Sequence, residues 1–194
     1  MGNVFFGGGK VGMKAPSVSR LPKGYTELTY IQSSGTQCID SGLTVNKTDS
    51  YEYIIDAQFT NDEYGGANGY MQFKSGIASG SRATIRITYD GSSHVENVYV
   101  NGTLKSTDDW TDRYSESNVK IGILKLGNPS NAWYTGNAQA GTMYSCQIYK
   151  AGTLVRNFVP CLSDADGVGL YDLVEGKFYG NAGTGSFIGG EEVA

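Results

Sequence analysis

This 194-residue sequence predicts an all-β fold, a sandwich or barrel of short antiparallel strands. Three observations carry that expectation. The chain holds 28 glycines and 14 tyrosines but only 4 prolines, a composition suited to short strands and tight turns. From residue 26 onward apolar residues recur with period two, the spacing of a half-buried strand, and no stretch shows the 3.6-residue period of an amphipathic helix. Turn signals recur about every 8–12 residues, the rhythm of a sandwich or barrel.

The elements follow in order. Residues 1–20 form an arm, in which KAPSVSRLPKG with Pro16 and Pro22 reads as an extended linker. TELTYIQ (26–32) and TQCID (36–40) are short strands around Ser33-Ser34-Gly35. SYEYIIDAQFT (50–60) puts Tyr51, Tyr53, Ile55, Ala57 and Phe59 on one face. GYMQF (69–73) follows a glycine-rich turn, and ATIRITY (83–89) alternates Ile85, Ile87 and Tyr89 with Thr84, Arg86 and Thr88. VENVYV (95–100) runs into Asn101-Gly102, a strong hairpin signal. NVKIGILKL (118–126) is another strand, and MYSCQIYKAGTLVRNFVPC (143–161) reads as a hairpin turning at Ala151-Gly152. That turn sets Tyr144, Cys146 and Ile148 opposite Val159, Asn157 and Val155. VGLYDLVEGKFYGN (168–181) is a last hairpin turning at Glu175-Gly176. The tyrosines of YTELTY and GLYDLVEGKFY read as core and corner packing.

Charge excludes some partners. Fifteen basic against nineteen acidic residues give −4 with no basic block, so neither nucleic acid nor an anionic membrane is an expected partner. No apolar run approaches the roughly 20 residues of a membrane span. Val4-Phe5-Phe6 is too short an apolar patch for a secretory signal. The three cysteines are expected as buried thiols. With Cys146 facing Asn157, Cys161 lies about 13 Å further along the strand, beyond the ~7 Å that a disulfide spans.

Three long segments carry a family resemblance: LPKGYTELTYIQSSGTQCIDSG (21–42), YSCQIYKAGTLVRNFVPC (144–161) and GLYDLVEGKFYGNAGTGSF (169–187). Together they resemble a concanavalin A-like, laminin-G-like jelly-roll module of prophage and gut-bacterial surface proteins, over residues 21 to about 190. The resemblance implies a two-sheet antiparallel jelly-roll sandwich spanning 21–194, preceded by the extended arm 1–20. It implies a lectin-like role in carbohydrate or surface binding, and in phage proteins a place on capsid surfaces, tail tips or tail fibres. The expected function is therefore a non-enzymatic bacteriophage virion surface protein, a capsid decoration or tail-fibre-associated piece serving host adhesion. Other virion proteins or copies of the same chain are its expected partners. The alternative is an extracellular or cell-surface carbohydrate-binding module of a gut bacterium; a glycan hydrolase is the third.

Catalytic constellations are sparse. VFFGGGKVG (4–12) is no phosphate loop: the position that needs the first glycine holds Val4, and Val11 follows Lys10 where a hydroxyl is required. Glucanase relatives of the jelly roll carry Glu-x-Asp-x-x-Glu or Glu-x-Asp-x-Glu on one strand, and no such pattern occurs here. Glu52 and Asp56 share a strand face but stand about 13 Å apart, against about 5 Å or 6.5–9.5 Å for glycoside hydrolysis. His94 is the sole histidine and lies in a loop beside serines, with no Gly-x-Ser-x-Gly elbow in the chain.

Binding residues are easier to nominate. Sugars are held by exposed aromatic rings flanked by amides and acids. Trp110 and Tyr114, in a polar loop over 106–117, and Asn131, Trp133 and Tyr134 in NPSNAWYTGN are the candidates, because they lie outside strand patterns. The sequence implies no cofactor beyond a weak calcium candidate at Asp108, Asp109 and Asp112; Asp164 and Asp166 form a second acidic turn, and neither completes a calcium loop. In the arm, Val4, Phe5 and Phe6 followed by Gly7, Gly8 and Gly9 are the expected anchor into a partner, the glycines letting backbone pass closely.

Overall fold

Alternation decides the long strands. The computed structural model describes residues 20–60, 64–66, 72–74, 80–109, 111, 119–124 and 138–193. The strands are β1 (Tyr25–Glu27), β2 (Ile31–Ser34), β3 (Ile39–Val45), β4 (Tyr51–Phe59), β5 (Tyr64–Gly66), β6 (Gln72–Lys74), β7 (Ala83–Asp90) and β8 (Val95–Val100). They continue as β9 (Thr103–Asp109), β10 (Val119–Ile123), β11 (Ala140–Lys150), β12 (Thr153–Ser163), β13 (Gly167–Asp172), β14 (Lys177–Tyr179) and β15 (Ile188–Gly189). Among the described residues the fold is all-β, without a helix, and every strand pairing is antiparallel.

A large sheet runs β14–β13–β12–β11–β4–β7–β8–β9, with β1 beside β12, β2 beside β11 and β15 beside β2. β3 and β10 form a small sheet, and β5 and β6 a separate pair. On β4 the expected inward set is buried: Tyr51, Tyr53, Ile55, Ala57 and Phe59. On β7 the inward set is Ala83, Ile85, Ile87 and Tyr89. These residues share one core with Ile39 and Val45 of β3 and Ile121 and Ile123 of β10. The small sheet thus lies against the large one in a sandwich-like arrangement. Each isoleucine fully withdrawn from water contributes about 1.5–3 kcal/mol.

Several expected elements are corrected. The strand over 26–32 is two strands, because β1 pairs with β12 whereas β2 pairs with β11 and β15. The strand over 36–40 begins later, at Ile39. Residues 36–38 are held across the chain instead, with Ala182 and Thr184 N–H groups bonding the Cys38 and Thr36 carbonyls. The polar loop from 106 is in fact the end of β9, which alternates no apolar residues because it pairs only with β8 among the described residues.

The hairpin of β11 and β12 turns where expected, with Ala151 at φ 46° and Gly152 at φ 77°. A bulge between Ile148 and Tyr149 then shifts the register by one residue, so Cys146 faces Phe158, not Asn157, and Ile148 faces Arg156. Cys38, Cys146 and Cys161 are buried thiols with no disulfide. Burial pushes the Cys146 thiol far up and the Cys161 thiol up to about 12. Tyr25 and Tyr171 pack with ring centroids 4.9 Å apart and planes tilted by 60°, and Tyr179 meets Phe158 edge-on, as the packing reading requires. Tyr30 does otherwise, meeting Tyr144 edge-on and half-buried.

Candidate functional site

The outer face of the large sheet is the best-furnished surface among the described residues. It follows from the same alternation that builds the core: the residues between the buried ones on β4, β7, β8 and β11 face away from the small sheet. One cross-strand row there reads Asn157, Gln147, Ile54, Arg86 and Tyr99. The next reads Leu154, Tyr149, Glu52, Thr88, Asn97 and Thr107.

Aromatic rings, amides and charge pairs alternate across this face. The Tyr149 hydroxyl donates to Gln147 Oε1 at 3.3 Å, and Gln147 Nε2 donates to Asn157 Oδ1 at 3.4 Å. Arg86 Nε donates to Glu52 Oε1 at 2.5 Å while its guanidinium lies 5.1 Å from the Tyr99 ring centre. Just ahead of β7, Arg82 grips Asp56 with two bonds of 2.9 and 2.6 Å and covers the Tyr144 ring at 3.6 Å. Hydrogen bonding to Asp56 and to Glu52 pushes both guanidinium pKa values above the usual arginine range. Tyr99, Tyr144 and Tyr149 are half-buried, each with part of the side chain in water.

That arrangement suits non-covalent recognition. Rings offer apolar faces, amides and carboxylates read hydroxyls, and the arginines fix the acids in place. Glu52 and Asp56 each carry an arginine as an ion-pair partner.

Other nominated residues separate. Asp108 and Asp109 are successive residues of β9 and so point to opposite faces. Asp109 Oδ1 accepts from the Thr111 N–H at 2.8 Å. No group of three His, Cys, Asp or Glu side chains converges among the described residues. Asp166 closes a turn, where Ser163 Oγ donates to its Oδ2 at 3.2 Å. His94 sits in the β7–β8 turn at φ 58°, its Nδ1 3.1 Å from the Tyr89 hydroxyl. Asp112, Trp110, Tyr114, Asn131, Trp133 and Tyr134 lie outside the described residues, as do Val4, Phe5, Phe6, Gly7, Gly8 and Gly9.

Sequence reasoning missed the face that is present. Tyr99, Tyr144 and Tyr149 look like ordinary strand residues, and the amide pair depends on the bulge. Without it Gln147 would face Arg156. The one signal in the sequence was the run of polar partners at alternate positions, Glu52, Asp56, Arg86 and Thr88. No protein-family model matches the chain, and no curated protein matches its sequence.

Proposed function

We propose that this chain is a non-enzymatic surface module that binds glycans through the outer face of its large sheet. In this reading it is displayed on a phage virion, as a capsid decoration or tail-fibre-associated protein that contacts the host surface. The observation that carries the binding reading is the Tyr149–Gln147–Asn157 ladder beside the Arg86–Glu52 pair. An apolar ring, two amides and a fixed carboxylate on one solvent-facing surface are the groups a sugar requires. The pairing of Glu52 and Asp56 with arginines supports a binding role over hydrolysis. The virion setting draws on the resemblance of residues 21 to about 190 to prophage surface modules.

The test is a binding assay of the full chain against gluco-, galacto- and manno-oligosaccharides, beside co-sedimentation with phage particles and with bacterial cell walls. Binding to one oligosaccharide series, weakened at least tenfold in Tyr149→Ala, is the expected result. Particle association should accompany it. Absence of binding to every oligosaccharide and to walls removes the glycan reading; wall binding without particle association moves the module to a cell surface.

A further inference from the structure

At the turn end of the β7–β8 hairpin the outer face deepens into a cleft of about 500 Å³. Ser50, Thr88, Tyr89, Asp90, Ser93, Val95 and Asn97 line it. The volume lies within the range of small-ligand pockets, about 300–1,000 Å³.

The cleft has a defined chemistry. Besides Tyr89, whose hydroxyl donates to the Lys47 carbonyl, three hydroxyls, one amide and one carboxylate surround a single aliphatic side chain, and no cationic side chain is among its lining residues. Part of this polar set is committed to the turn: Ser50 Oγ accepts from Gly91 N–H at 3.0 Å, and Asp90 Oδ1 accepts from Ser92 N–H and Oγ at 2.8 and 2.7 Å. Those bonds, the Ser92 hydroxyl's first, hold the Asp90 carboxyl below its usual range and so keep it an acceptor. Asn97 Oδ1 accepts from Thr107 at 2.7 Å, which fixes the amide and leaves its NH₂ to point elsewhere. The Thr88 hydroxyl has no hydrogen-bond partner among the described residues. A fixed acceptor, spare donors and a small apolar wall fit a polyhydroxylated, uncharged ring. An anionic sugar would meet Asp90 with no cation among the lining residues to offset the repulsion.

The cleft is also aligned with the tyrosine–amide ladder. Thr88 faces Glu52 across one strand pair, and Glu52 faces Tyr149 across the next. Two strand spacings separate Thr88 from Tyr149, about 10 Å, a distance that a disaccharide spans. We propose that the cleft receives one neutral hexose of the bound glycan, whose neighbouring residues lie over Glu52 and Tyr149. The inference rests on the glycan-binding reading and adds the class of sugar and the place of one unit.

Binding of methyl glucoside, methyl galactoside, methyl mannoside and glucuronate to the full chain, followed by NMR shifts of backbone amides, tests it together with the oligosaccharide series. Thr88→Val is nearly isosteric and keeps the strand; Asn97→Ala is the second variant, and amide spectra report that each is folded. One neutral methyl hexoside should shift the amides of Thr88 and Val95, glucuronate should not, and Thr88→Val should weaken oligosaccharide binding about tenfold. Binding that Tyr149→Ala abolishes while Thr88→Val and Asn97→Ala leave it unchanged overturns the cleft and spares the glycan reading. Glucuronate bound as tightly as the neutral hexosides overturns the neutral-sugar assignment. If no sugar binds the unaltered chain, both fall together.

Discussion

At Gly91 the absence of one methyl group lets the cleft wall form. A β-carbon there would stand 2.3 Å from the Thr48 carbonyl oxygen and 2.4 Å from its carbon, with the Asp49 carbonyl carbon at 2.8 Å. These are main-chain atoms with no rotamer to retreat into, so Gly91→Ala must push the 90–94 turn away from residues 48–49. The expected cost is about 2–3 kcal/mol, in the range of overpacked sites. Urea denaturation checks it, and an unchanged midpoint would mean the turn is looser than its contacts imply. The thiols give a second expectation. All three cysteines are buried, and burial raises the Cys146 and Cys161 pKa, so few thiolates form and none meets a reagent. A thiol-specific chromogenic reagent at mildly alkaline pH should modify none in the native chain and all three after denaturation. At this scale the candidate site was largely hidden in the sequence. Tyrosine is common in strands whichever way it faces, and which of Tyr51, Tyr53, Tyr99, Tyr144 and Tyr149 meets water is settled only when the partner strands are known. The nominated loop residues were chosen for the opposite reason, because they lie outside strand patterns.

Among the elements, two hairpins use the same left-handed pair with different first residues. Asn101 and Gly102 have φ 49° and 79°; Ala151 and Gly152 have φ 46° and 77°. A β-carbon crowds the following carbonyl in that region at about 1–2 kcal/mol per residue, and asparagine, unlike alanine, offsets this through local hydrogen bonding by its short polar side chain. Ala151→Asn should therefore stabilise the chain by roughly 0.5–1 kcal/mol, seen as a rise in thermal midpoint. The reverse change, Asn101→Ala, should lower stability, and it also removes the Asn101 Oδ1 acceptor of the Thr84 N–H at 3.0 Å. If both substitutions leave the midpoint unmoved, the left-handed pairs carry no strain. These hairpins explain how far the fold was legible. Turn chemistry and period-two alternation are local, so β4, β7, β8 and both long hairpins could be read from neighbours in the chain. The partition of residues 26–32 into β1 and β2, the polar edge strand β9 and the bulge after Ile148 depend on partners remote in sequence, and no local pattern marks them.

The two main sheets of the whole molecule are joined by a buried polar link as well as by the core. Arg156 is turned inward by the bulge, its side chain 8% exposed. Its Nε donates to the Ser41 carbonyl of β3 at 3.0 Å and lies 3.6 Å from Oδ2 of Asp172, which is fully buried on β13. Its Nη1 lies 2.7 Å from Glu175 Oε1, and Tyr179 donates to the same carboxylate's Oε2. Asp172 meanwhile accepts from the N–H groups of Asn157 at 2.8 Å and Val174 at 3.0 Å. One guanidinium thus reaches the small sheet through Ser41 and the large sheet through Asp172. Removing one member leaves a buried charge without its counter-charge, which typically costs about 3–5 kcal/mol. Arg156→Met keeps the stem volume and should lose that amount by urea denaturation. Asp172→Asn keeps acceptors for Asn157 and Val174 and should lose less. Once the arginine is gone the neutral amide is the better partner for a buried site, so Arg156→Met with Asp172→Asn should recover about 1–3 kcal/mol relative to the sum of the single losses. Strict additivity would mean that Arg156 holds the sheets through Ser41 and its packing, with Asp172 acting only as a cap for its own turn. Strong coupling would mean that the charge pair itself fixes the register of β12, and with it the Gln147–Asn157 pairing on the far side of the sheet. In that case Arg156→Met should also weaken oligosaccharide binding, from a position on the buried side of the strand that no sugar touches.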